Sequence, residues 1–303
     1  MGDAPTATRP IGITIGGNTV DAIVDATRDA AAAGLDSVWL SQIFSLDALT
    51  ALAIAGREVP DIALGTGVVP TYPRHPMMLA AQARTTQQAC GGRLHLGIGL
   101  SHKVVIEHML GMSFERPLRH MKEYLSILVP LANGEPSAFS GETLTGHVAL
   151  DVPCDPVPVL VAALGERMLE LAGEVSAGTM TWMTGTRTVA EHIVPTIAGA
   201  ADRAGRPAPR VVVSLPVAVT DDAEAARATA NELFAIYGTL PSYRAMLDRE
   251  GAEGPGDVAI VGTEDEVAAL VDGVFAAGAT EFVAAPFANL GRTTELLAAL
   301  NRR

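Results

Sequence analysis

The chain has 303 residues, a formal net charge of −13 and two cysteines, Cys90 and Cys154. The acidic balance leaves no basic face for nucleic acid, and no run approaches the roughly 18 apolar residues of a membrane helix. The cysteines have neither metal-ligand spacing nor the number a disulfide framework needs, and "MGDAPTATRP" lacks a leader's basic-then-apolar pattern, so the expectation is a cytoplasmic protein with free thiols and no metal.

In chain order, "IGITI" (11–15) reads as a strand. It is followed by a helix whose Val20, Ile23, Val24, Thr27 and Ala31 recur at helical spacing. Asn18 or Thr19 can cap its start, and Gly34 suits a left-handed stop. A strand "LDSVWLS" (35–41), a helix "LDALTALAIAGRE" and a strand "DIALGTGVV" come next. The third helix opens on Pro76, whose missing N–H has no intrahelical partner at that position, and stops at Gly91 and Gly92. "RLHLGIG" (93–99) is the fourth strand. Apolar runs at 157–164, 177–183, 210–219 and 280–286 bring the strands to eight. "TVAE" (188–191), "DDAE" (221–224) and "TEDE" (263–266) read as capping boxes that open the helices between the later strands.

Alternating strands and helices at this spacing imply right-handed crossovers and a parallel sheet. Eight such units predict a single-domain (β/α)8 TIM barrel over residues 1–303, with insertions at about 100–114, after strand four, and 134–157, before strand five. An open doubly wound sheet is the competitor, but "GIGLSH" has only the first two glycines of the dinucleotide fingerprint.

A barrel places its active site at the carboxyl ends of the strands. Those ends hold Gly16 and Gly17, Ser41 and Gln42, Gly67 and Val68, Gly99 to His102, Ala162 to Gly165, and Thr181 with Trp182. Small residues dominate, no lysine stands there for Schiff-base chemistry, and no metal-ligand cluster is present, which suits a large flat cofactor carrying its own reactivity. In "LGTGVVPTYPRHP" (64–76), Gly65 and Gly67 interrupt a buried strand, the mark of a bulge or of a close approach by a ligand. The helix that opens at Gly165 offers free N–H groups to a phosphate or to nothing but a tight turn. Lys103, Arg116 and Arg119 form either a cationic rim for an anionic tail or a solvated helix face. His75 reads as structural, Trp39 as a core or wall residue, and Trp182, among threonines, as lining a substrate pocket.

Four stretches together resemble the luciferase-like monooxygenase superfamily, in its branch using the deazaflavin coenzyme F420: "AAAAGLDSVWLSQ", "LGTGVVPTYPRHPMMLAAQARTTQQACGGRLHLGIG", "VLVAALGERMLELAGEVSAG" and "VGTEDEVAALVDGVFAAGATEFVAAPF". The resemblance implies a non-prolyl cis peptide at Gly67–Val68 behind the deazaflavin ring, with Gln42 and Gly99 beside the ring. It also implies that Ala163, Leu164 and Gly165 hold the cofactor phosphate with Gly178 nearby. Several dehydrogenases of the family carry an Asp-His pair where this chain has Gln42 and Ile43, and a glutamate proton donor is replaced near His102. The expected function is therefore hydride transfer between F420 and a small organic substrate, in the direction of a reductase, by a homodimer with His102 as the candidate proton donor. An FMN-dependent monooxygenase and a non-catalytic flavin-binding barrel are the alternatives.

Overall fold

The computed structural model describes residues 9–302; the leader reading of the first eight residues lies outside the described residues. Eight strands close into a parallel barrel: β1 (Ile11–Ile15), β2 (Ser37–Leu40), β3 (Ala63–Thr66), β4 (Leu94–Gly99), β5 (Val159–Val161), β6 (Gly178–Trp182), β7 (Arg210–Val219) and β8 (Glu281–Pro286). Each pairs with the next in order, and β8 closes on β1, with Ile11 opposite Phe282. The predicted TIM barrel is what forms, strand for strand.

Alternation along the strands sorts the side chains into two cores. Val38, Leu64, Leu96, Val161, Val213 and Phe282 point outward and pack under the helices. Trp39, Leu160, Met180, Val212 and Val283 point inward and fill the barrel, with Val68 against them. The helix Val20–Ala33 buries Ile23, Val24, Thr27 and Ala30 on one face; Thr19 caps it through its side chain, and Gly34 ends it at φ 89°. Burying side chains of this size is worth about 1.5–3 kcal/mol each.

The floor of the barrel is polar. The Trp39 indole N–H donates to Ser37 Oγ (2.9 Å) and to Glu281 Oε1 (3.2 Å), and Ser37 Oγ donates to the same carboxylate oxygen (2.7 Å). Arg210 completes it, reaching Glu281 Oε2 at 2.5 Å and His95 Nδ1 at 3.0 Å. Burial, helped by the Arg210 charge, pushes the His95 pKa down to about 3, so its Nδ1 is free to accept.

The insertion after β4 carries a short π-helical turn, Val105–Met109. The one before β5 folds as a hairpin, Ser137–Ser140 with Thr145–Val148. A third was not marked in the sequence. β7 runs on beyond its barrel neighbours, so that Val217–Val219 pair with a short extra strand, Ile260–Gly262. Between them Thr220–Ala259 forms four further helices, Ala223–Leu233, Ala235–Thr239, Pro241–Glu250 and the short Pro255–Val258.

Of the three expected capping boxes, one forms: Thr263 with Glu266. At 221–224 Asp222 caps alone, accepting from Ala225 N. At 188–191 the helix has already begun at Thr186, and the Glu250 carboxylate takes the N–H groups of Arg187 and Thr188. A long-range carboxylate thus does the work that the local sequence assigned to Glu191. Among the described residues no helix is long and apolar enough to cross a membrane, and no group of acids, histidines and cysteines could hold a metal.

Candidate active site

The strand that holds Gly65 breaks at the carboxyl end of the barrel. The Gly67–Val68 peptide is cis, as the resemblance implies, and the chain resumes pairing with β4 through Val69 and Pro70. Cross-strand bonds pin the bulge: Gly67 N donates to Leu40 O (3.0 Å), Ser41 Oγ to Gly67 O (2.5 Å), Gln42 N to Val68 O (3.3 Å) and Thr71 N to Gly99 O (2.9 Å).

Glycine has a separate reason at each inward position. A Cβ at Gly65 would enter the Trp39 ring, and one at Gly97 would collide with the Thr66 carbonyl. A Cβ at Gly67 would stand 3.0 Å from Met180 Cε. At Gly99 it would lie 2.8 Å from Val68 Cγ2 and 3.3 Å from Ala162 Cβ. Val68, Gly99 and Ala162 therefore lie side by side as an apolar wall at the mouth, with Trp39 and Met180 packed beneath Val68.

Gln42 lies beside this wall, but its side chain turns into its own loop. Its Oε1 accepts from Ala48 N at 2.7 Å and its Nε2 donates to Leu46 O at 3.4 Å, fixing the start of the helix Ala48–Glu58. Ala163 is buried and Leu164 half-buried, while Gly165 is exposed as the N-cap of the helix Glu166–Val175, with no side chain capping it and open space around its missing Cβ. His192 Nε2 holds the Leu164 carbonyl at 2.8 Å.

Gly178 does not belong with these residues. It is the first residue of β6, opposite Leu160 and Arg210, toward the amino end of the barrel. It is glycine because its φ is 148° and a Cβ would strike the Arg210 carbonyl. The rim cations are also engaged elsewhere: Arg119 and Arg116 pair with Glu142 of the hairpin, and Lys103 with Glu107 at 3.7 Å. His75 caps its helix, Nδ1 accepting from Met77 N at 3.3 Å, in the structural role expected of it.

Trp182 and His102 do come to the mouth, linked by residues that sequence reasoning missed. Trp182 meets Phe234 and Tyr237, Tyr237 meets Tyr243, and Tyr243 meets His102. The signal was the ring spacing in "FAIYGTLPSY", a segment to which the sequence reading gave no role. Ser214 was missed too, a polar residue at an inward position of the apolar run "VVVSLPVAV". It is buried, next to Trp182 across the β6–β7 pair, and its Oγ has no partner. The Trp182 indole N–H is buried and meets no acceptor at hydrogen-bond geometry. Burial lowers the His102 pKa, so the neutral imidazole dominates at pH 7.

Comparison with known proteins gives the same outline. The profile of the family described as luciferase-like monooxygenase matches residues 4–301. A 5,10-methylenetetrahydromethanopterin reductase of Methanolobus tindarius is 30% identical over 223 residues, covering 73% of this chain and 68% of the reductase. Among solved structures, the coenzyme F420-dependent tetrahydromethanopterin reductase of Methanopyrus kandleri superposes with a TM-score of 0.81 at 21% identity, covering 96% and 98% of the two chains. The FMN-bound oxygenating component of 3,6-diketocamphane monooxygenase from Pseudomonas putida reaches 0.74 at 19% identity, with 97% of each chain covered. The chain belongs to the luciferase-like monooxygenase family.

Proposed function

We propose that the protein is an oxidoreductase that transfers hydride from the reduced deazaflavin coenzyme F420 to a small organic acceptor. The observation that carries this reading is the wall of Val68, Gly99 and Ala162. It is made of small apolar groups, and no carboxylate or lysine stands at the strand ends that form it, so it suits a planar redox ring that brings its own reactivity. When bound, F420 supplies a hydride donor and acceptor. The chain's residues fit its parts: the wall would back the ring, and the uncapped helix start at Gly165 would take the phosphate, its N–H groups and dipole favouring an anion. His192 fixes the Leu164 carbonyl and with it the plane of the peptide that carries the Gly165 N–H.

His102 is the group available to move a proton at the mouth. The Asp-His pair of related dehydrogenases is absent, and Gln42 in its place is committed to a helix start, which supports reduction over alcohol oxidation. The reductase names among the similar proteins point the same way. The FMN-bound neighbour keeps a second reading in play, a monooxygenase supplied with reduced FMN. Titration of the purified protein with each cofactor decides between them. Saturable F420 binding with weak FMN binding is expected; tight FMN binding with none of F420 would overturn the proposal.

A further inference from the structure

Above the apolar wall, one side of the mouth is a row of rings. Trp182 meets Phe234 and Tyr237 edge-on, with centroids 5.6 and 5.8 Å apart; Tyr237 meets Tyr243 at 4.9 Å, and Tyr243 meets His102 at 6.0 Å. These are the spacings and tilts at which aromatic quadrupoles attract. The row runs from the end of β6, across the Thr220–Ala259 insertion, to the loop after β4.

The row carries no net charge. Burial raises the phenol pKa values of Tyr237 and Tyr243 and lowers that of His102, so all three are neutral at pH 7. The charged neighbours in sequence are occupied elsewhere. Lys103 pairs with Glu107, Arg244 binds Asp248 and the carbonyls of Ala252 and Glu253, and Glu250 caps the helix at Thr186. A charged substrate would be desolvated here with nothing to compensate it.

Next to Trp182 on the inner wall lies Ser214, 2% exposed and with an Oγ that no protein atom satisfies. A buried hydroxyl without a partner is unfavourable unless something brought to the site completes it. A hydrogen-bonding atom on an otherwise apolar molecule would do so.

We propose that the acceptor is an uncharged α,β-unsaturated ketone with a planar apolar body, lying against Trp182, Tyr237 and Tyr243 with its carbonyl oxygen on Ser214 Oγ. The inference rests on the F420 reading for its reductant. Hydride from the reduced deazaflavin would add to the β-carbon, the electrons of the C=C bond would move to the carbonyl oxygen as an enolate, and a proton from solvent, passed through His102, would then add at the α-carbon. The C=C bond becomes a single bond and the deazaflavin is left oxidised. The Ser214 O–H, donating to the carbonyl oxygen, stabilises the charge that develops there.

The test is calorimetric titration of the full-length protein, with and without oxidised F420, using 4-phenylbut-3-en-2-one and its para-carboxylate. The ketone is expected to bind and the carboxylate to bind at least about tenfold more weakly. Tyr237→Ala is expected to weaken ketone binding about tenfold while F420 affinity stays within about twofold. Ser214→Ala, a small change that the fold tolerates, is expected to slow single-turnover reduction about tenfold or more. Equal binding of ketone and carboxylate would overturn the proposal, as would Ser214→Ala with an unchanged rate. F420 binding without ketone binding sinks this inference and leaves the F420 reading intact. Ketone binding without F420 binding sinks the F420 reading and with it the hydride step, and leaves only the uncharged-ketone pocket standing.

Discussion

A methyl group on Gly99 would stand 2.8 Å from Val68 Cγ2. The two residues are on neighbouring chain segments, held by the Thr71 N–H on the Gly99 carbonyl and by the pairing of Pro70 with Gly99. Gly99 is therefore the half of the contact that makes room for Val68. Gly99→Ala is expected to push Val68 or Ala162 inward, to cost about 1–3 kcal/mol in overpacking, and to weaken F420 binding by at least tenfold. Thermal melts and coenzyme titration of the same preparation check both numbers. Unchanged affinity would place the ring elsewhere.

Gly165→Asp separates stability from binding. Asp is a better N-cap than Gly by a few tenths of a kcal/mol, so the Tm should hold or rise slightly. The carboxylate would occupy the anion position at the helix start, and F420 affinity is expected to fall at least about tenfold. If the affinity is unchanged, the phosphate does not lie there.

His102→Ala distinguishes a proton donor from a cofactor contact. General acid help is typically worth roughly 10²–10⁴ in rate. A lost donor slows single-turnover reduction and leaves the coenzyme Kd nearly intact; a lost contact raises Kd and spares the saturated rate. Because burial lowers the His102 pKa, its acid form grows only as pH falls below 6.5. Wild-type reduction is therefore expected to quicken below that pH, and the mutant to lose this dependence.

Glu123 pins the hairpin to the barrel's helical layer. Its carboxylate accepts from the N–H groups of Glu142, Thr143 and Leu144 and from the Thr143 hydroxyl, at 2.8–3.0 Å. Burial works to raise its pKa, but these donors outweigh it and hold the group at about 2, against an ordinary 4.5. A depressed carboxylate pKa stabilises the fold above the unfolded value, and that stabilisation is lost as pH falls through the folded one. Glu123→Gln is expected to cost about 2 kcal/mol at pH 7. In urea unfolding the gap from wild type should begin to close below pH 4.5 and be gone near 2. A gap independent of pH would mean the ionised form is not what matters.

Arg210→Met tests the far end of the barrel. It strands the Glu281 carboxylate, which is 6% exposed, and is expected to cost about 3–5 kcal/mol of stability. F420 affinity should stay within about twofold, since this network and Gly178 lie at the amino end. Loss of affinity with normal stability would contradict the separation of the two ends.

The eight strands and the helices between them could be read from the sequence because each is fixed by local periodicity and by end signals such as Thr19, Gly34 and Pro76. The glycines at 65, 67, 97 and 99 were also visible, since a missing side chain in a buried strand requires a reason wherever the strand lies. Local signals could not show which end of a strand a residue occupies once the barrel closes with its stagger. For that reason Gly178, next to "AALG" in motif logic, proved to belong to the amino end with Arg210. Nor could they reveal partners distant in sequence. Glu250 replaced an expected capping box 62 residues away, and the rim arginines went to Glu142. The row of rings from Trp182 to His102 and the unpaired Ser214 hydroxyl exist only where β4, β6, β7 and the Thr220–Ala259 insertion converge. The sequence determined the barrel and the glycine-interrupted strand ends at its mouth, because both follow from short-range pattern. The chemistry of the substrate side was decided by tertiary packing, which alone sets which side chains face one another and which polar atoms are left without a partner.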